Sequence, residues 1–155
     1  MFPGRQYDLA LAGNVQSGNR LVLFLDTKTG GYNDGNFGRD SSPQGVDDFN
    51  SGTIFDSGFN ADYSLVIGTD GGGNYFFDLY TLSGTAGSGG GPNDFLGTQA
   101  EADLGANPAN SDVTRGFEIT IPKLSLGYSD GDDIQVFAAY TSDGGFLSNQ
   151  FLSPA

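Results

Sequence analysis

Histidine, cysteine and tryptophan are absent from this 155-residue chain, methionine occurs once, and lysine and arginine together number six. Each absence closes a chemistry. Without His or Cys there is no Ser-His or Cys-His triad, no thiolate or imidazole metal site and no disulfide. Six basic residues against nineteen acidic ones give a formal net charge of −13. That charge opposes nucleic acid and anionic membrane surfaces as partners, because both need basic patches to displace counterions. No apolar run reaches the roughly 18 residues of a membrane-spanning helix, and no basic-then-apolar leader opens the chain. Met1-Phe2-Pro3-Gly4 therefore reads as the start of a piece excised from a larger exported protein, with signal and anchor elsewhere.

Glutamate is nearly missing too. Of the nineteen acids only Glu101 and Glu118 are Glu, and the rest are Asp. Aspartate bonds to nearby backbone, favours turns and caps, and offers short carboxylate arms to hard cations. With 26 Gly, the acid belongs to loops between strands. Thirteen Phe and seven Tyr supply a core rich in aromatic area. A chain of this length fits one domain, here residues 1–155. The acidic surface, poor in Lys and rich in Asn and Gly, favours a secreted, extracellular setting.

Apolar runs of strand length alternate with Gly, Asn, Asp and Pro clusters, and no window keeps a helical period. Strands are expected over Tyr7–Ala12, Arg20–Asp26, Ala61–Gly68, Asn74–Leu82, Gly116–Ile121 and Asp132–Tyr140, with shorter ones at Ile54-Phe55 and within Phe95–Leu104. Arg20–Asp26 is apolar on both faces, as in a central strand covered on both sides. The turn Asp70–Asn74 joins two of these runs as a hairpin. Ser83–Asn93 reads as a long loop and Leu124–Gly127 as a single helical turn. The fold class is all-β, an antiparallel sandwich of jelly-roll type with Gly/Asp-rich loops.

Two loop segments hold oxygen ligands at spacings that suit Ca²⁺, which takes six to eight of them. The first runs from Asp26 through Asn33 and Asp34, where a strand delivers an Asp to its end and the chain doubles back through Gly30-Gly31. It lacks the EF-hand order and terminal Glu, and its alternative is an Asp/Asn-rich loop bonded to its own backbone. The second, Phe55–Tyr63, sets Asp56 and Asp62 on either side of Gly58, with Phe55, Phe59 and Tyr63 recurring every four residues. Its alternative is a bend pinned by aromatic anchors, with Asp62 accepting backbone N–H bonds. The loop aromatics Tyr32, Phe37, Tyr128 and Phe146 offer faces on which sugar rings stack, or else act as lids over the core. Glu118, opposite in pleat to Phe117 and Ile119, either faces solvent or accepts a sugar hydroxyl. A lone Glu without a partner carboxylate does not make a glycosidase, and no catalytic set is assigned.

Five stretches carry a family resemblance: Leu23-Phe24-Leu25-Asp26-Thr27, Phe55–Gly68, Phe117–Pro122 followed by Leu126-Gly127, Ile134–Gly145, and Ser148-Asn149-Gln150. Together they resemble the DOMON and family-9 carbohydrate-binding-module group of β-sandwiches over residues 7–152. The resemblance implies an exported bacterial domain, often set beside enzymes or surface anchors, that binds sugar, haem or no known ligand and carries structural calcium. The axial haem ligands and the Trp pair of the family-9 modules have no counterpart in this sequence. The expectation is a non-catalytic extracellular module that binds polysaccharide, with calcium held by Asp26, Asp56, Asp62, Asn33 and Asp34 and sugar by Tyr32, Phe37, Glu118 and Tyr128. Its rival is a structural or adhesive module of a cell surface or matrix, which self-associates or binds a neighbouring protein through an edge such as Gly116–Ile121.

Overall fold

The computed structural model of the chain describes residues 6–12, 15–31, 55–69, 75–82, 92–98, 116–127, 133–142 and 146–152. The eight described strands are β1 (Gln6–Ala12), β2 (Asn19–Asp26), β3 (Tyr63–Thr69), β4 (Tyr75–Leu82), β5 (Pro92–Thr98), β6 (Gly116–Pro122), β7 (Gln135–Ser142) and β8 (Leu147–Leu152), with a 3-10 turn at Lys123–Leu126. They form two antiparallel sheets, a ribbon β1-β6 and a six-stranded sheet ordered β5-β4-β3-β2-β7-β8. The chain is all-β and sandwich-like, as its composition implies.

Strand β2 shows why. Its residues alternate between two cores, so a run apolar on both faces must lie inside a sheet covered on both sides. Leu23 and Leu25 join Leu65, Ile67, Phe77 and Leu79, and meet Ile119 and Ile121 of β6. Tyr7, Leu9 and Leu11 of β1 pack on the same cluster. Val22 and Phe24 point the other way, into a second core with Phe55, Phe59, Ala61, Val66, Leu82 and Ala139. Leu23, Phe24 and Leu25 are each at most 1% exposed, and burial of each contributes about 1.5–3 kcal/mol.

The second face is covered by a bend. The Asp56 carbonyl accepts the Phe59 N–H at 3.1 Å with Gly58 at φ +99°, a type II turn that needs positive φ at its third position. The turn drives Phe55 and Phe59 down beside Phe24 and Phe137. The Phe55 ring meets Phe24, Phe59 and Phe137 at centroid separations of 5.0, 5.1 and 5.3 Å, edge to face in each case. Tyr63, eight residues after Phe55, belongs to the opposite core, because strand alternation has begun by then. The aromatic anchors thus pin a bend and no helix.

The β3–β4 hairpin forms with Tyr63 opposite Thr81 and Thr69 opposite Tyr75. Pro122 is the last residue of β6. Three expectations differ from the structure. Phe55 lies outside any strand, and Ile54 is outside the described residues. The strand expected within Phe95–Leu104 begins earlier, at Pro92, and ends at Thr98. Strand β8 was not foreseen. Its sequence, LSNQFL, has three polar residues at its centre, and among the described strands it pairs with β7 alone, so it lacks the apolar run of an inner strand.

Candidate functional site

At the end of β2 the chain leaves the sheet through Thr27, Lys28, Thr29 and Gly30, and two carboxylates fix that exit against the bend. Asp26 Oδ2 accepts the Asn60 N–H at 2.8 Å. Asp62 Oδ2 reaches back and accepts the N–H groups of Thr27 at 2.9 Å and Lys28 at 3.0 Å. The backbone repeats the clasp, with the Asp62 N–H on the Leu25 carbonyl at 2.8 Å and the Leu82 N–H on the Asp62 carbonyl at 2.7 Å. Asp26 at the end of β2 therefore holds the bend that precedes β3, and Asp62 just before β3 holds the loop that follows β2. Gly31, at φ +86°, completes the contact, since a Cβ there would fall on the Asn60 carbonyl, 2.7 Å from its carbon.

The Thr27 hydroxyl lies between Asp62 Oδ2 at 3.3 Å and the Leu126 carbonyl at 3.0 Å, and its single proton serves the nearer acceptor. That bond ties the 3-10 turn to the β2 exit and sets Gly127 beside it. Strand β7 closes the arrangement, because Gln135 pairs directly with Asp26.

These four elements enclose an open cleft of about 760 Å³, lined by Asp26, Thr27, Lys28, Thr29, Gly30, Gly58, Asn60, Gly127, Asp133 and Gln135. Its size is that of a small-molecule site, while its described lining is polar. Among the described lining residues, carboxylates, hydroxyls, amides and an ammonium offer both donors and acceptors, as a polyhydroxylated ligand requires. The Lys28 ammonium is already engaged, donating to the Tyr63 hydroxyl at 3.3 Å and lying 5.0 Å from that ring's centroid. Burial pushes the Asp26 carboxyl above the ordinary carboxylate value, with the Asn60 N–H opposing and the charge of Asp62 adding to the rise.

The expected site residues fall into three groups. Asp26 lines the cleft, Asp62 stands behind it, only 4% exposed and bonded to backbone, and Asp56 is exposed outside the lining. Among the described residues no three His, Cys, Asp or Glu side chains gather closely enough to hold a metal ion. Tyr32, Asn33, Asp34, Phe37 and Tyr128 lie outside the described residues; Tyr32 and Tyr128 follow Gly31 and Gly127 directly in the chain. Glu118 is in β6 opposite Ala10. Phe146 is 69% exposed at the β7–β8 turn, where it exchanges bonds with Ser142. The eight residues of β7 separate that turn from the cleft by roughly 23 Å, so Phe146 is no platform for it.

Asp133, Gln135, Asn60 and Thr27 were not singled out from the sequence. Gln135 had a usable signal: an amide opening an apolar strand. Its pairing with Asp26 had none. The chain matches no family model, no curated protein and no solved structure.

Proposed function

We propose that the domain is a non-catalytic carbohydrate-binding module of a secreted protein, with the cleft at the β2 exit as its sugar site. One observation carries this reading: a cleft of about 760 Å³ lined by hydrogen-bonding groups of both senses, on loops clamped to a buried sheet. Fixed donors and acceptors bind sugar hydroxyls without ordering cost at the moment of contact. Asp26, Asn60 and Gln135 would bond hydroxyls, and Tyr32, Tyr128 and Phe37 remain the aromatic platforms of this proposal. It agrees with the resemblance to the DOMON and family-9 group and with the acidic composition. Catalysis is not part of it.

Calcium enters the proposal as an ion of the Asp26–Asp34 loop that Asn33 and Asp34 would hold, with Asp26 Oδ1 left to the cleft; Asp62 acts through backbone bonds instead. Binding of that ion would relieve part of the −13 charge.

The test is retardation of the domain in gels containing a panel of neutral, acidic and amino polysaccharides, repeated with Gln135→Ala, Tyr32→Ala and Phe37→Ala. Retention of the wild type and its loss in Gln135→Ala are expected, with no sugar product released. Absence of retention on every polysaccharide would favour the adhesive scaffold, whose contact edge would be β6, at the margin of the two-stranded ribbon.

A further inference from the structure

The cleft's charges are not balanced. Asp26 and Asp133 both line it. The one cation among the described lining residues, Lys28, has laid its ammonium on Tyr63, within hydrogen-bond reach of the hydroxyl, and beside Gly127. The Asp26 carboxylate gives Oδ2 to Asn60, and Oδ1 has no hydrogen-bond partner among the described residues. It also stands at the end of an inner strand, partly withdrawn from water, where an electrostatic contact is screened less than on open surface. Around the cleft the whole chain carries −13, a field that repels carboxylated or sulfated polymers and draws in cationic ones.

Resting on the carbohydrate reading above, we infer that the cleft selects amino sugars: a saccharide bearing a free amine, its ammonium on Asp26 Oδ1 and within the field of Asp133, with Gln135, Asn60 and Thr29 left for hydroxyls. A uronate or sulfated glycan would bring a third anion to the two carboxylates. An N-acetylated sugar would lose the charge and keep the shape. Selection thus rests on the ammonium, which neither competitor carries.

The experiment titrates the domain calorimetrically in calcium-free buffer with a glucosamine tetramer, its fully N-acetylated counterpart and a galacturonate tetramer. The free amine is expected to bind about tenfold more tightly than the acetylated form, the lower end of what a hydrogen bond to a charged group contributes, and the uronate not measurably. Asp26→Asn, which keeps an acceptor for Asn60, and Asp133→Asn, at an exposed position, should each erase most of that preference. Asp8→Asn, which removes one exposed charge on β1 and keeps an acceptor for Thr120, should leave it. Equal binding of the free and acetylated tetramers, or tighter binding of the uronate, would overturn the selectivity while leaving the carbohydrate reading standing. Equal losses in Asp8→Asn and the cleft variants would overturn it as well, by assigning the preference to bulk charge. No binding of any tetramer, together with no retention on any polysaccharide, would remove both.

Discussion

Replacing Asp62 by alanine separates a structural carboxylate from a metal ligand. In the wild type its Oδ2 accepts the buried Thr27 N–H at 2.9 Å and the half-buried Lys28 N–H at 3.0 Å. The alanine variant leaves the first donor without an acceptor or water, a loss of about 1–3 kcal/mol, and the second to be resolvated at about 1 kcal/mol. The Thr27 hydroxyl keeps the Leu126 carbonyl and adds nothing. The sum is about 2–4 kcal/mol, read as a fall in the urea midpoint at constant m. Asp62→Asn keeps an acceptor oxygen in place and gives up only the charge assistance, so about 1 kcal/mol is expected. Both differences should persist in EDTA. If Asp62→Ala changed stability by less than 0.5 kcal/mol, on the order of a neutral surface substitution, the clasp would not hold the β2 exit. If its effect vanished on chelation, Asp62 would be a metal ligand after all.

Other consequences are open to direct measurement. Phe59→Ala removes a buried ring packed on Phe55 and Phe137, and should cost about 3–5 kcal/mol by denaturant unfolding. Gly31→Ala meets both a left-handed φ and the Asn60 carbonyl; a loss above about 1 kcal/mol is expected in the same assay. Because the folded-state pKa of Asp26 is raised, the folded state binds the extra proton between the ordinary carboxylate value and the raised one, and stability falls as pH climbs through that window. Asp26→Asn removes this term, so its stability relative to wild type should improve from pH 3 to pH 7; a relative stability flat or falling over that range would contradict the assignment. Chelator should lower the melting temperature and added Ca²⁺ restore it if the Asp26–Asp34 loop holds the ion; an unchanged melt would remove calcium from the proposal.

How much of this was legible in the sequence varies by element. Strands β2, β3, β4 and β6 declare themselves because burial on one or both faces writes a period or an apolar run into consecutive residues. Strand β8 does not, since it stands at the edge of the described sheet, paired there with β7 alone, and polar residues occupy its middle. The site divides along the same line. Asp26 and Asp62 were visible as acids at strand ends, and the two possible roles of Asp62 were both readable, but only coordinates show its oxygen spent on Thr27 and Lys28. The Asp26–Gln135 pairing joins residues distant in the chain. Local pattern carries no trace of it, and with it went Asp133 and the fourth wall of the cleft.

The most direct measurement of the central claim is polysaccharide gel retardation of the wild type beside a Asp133→Ala, Gln135→Ala double variant, both exposed positions at the entry to β7. Retention of the wild type on at least one polysaccharide, and its loss in a double variant that melts at the same temperature, is the expected result. Equal retention of the two proteins, or retention of neither, would contradict the assignment of this cleft as the binding site.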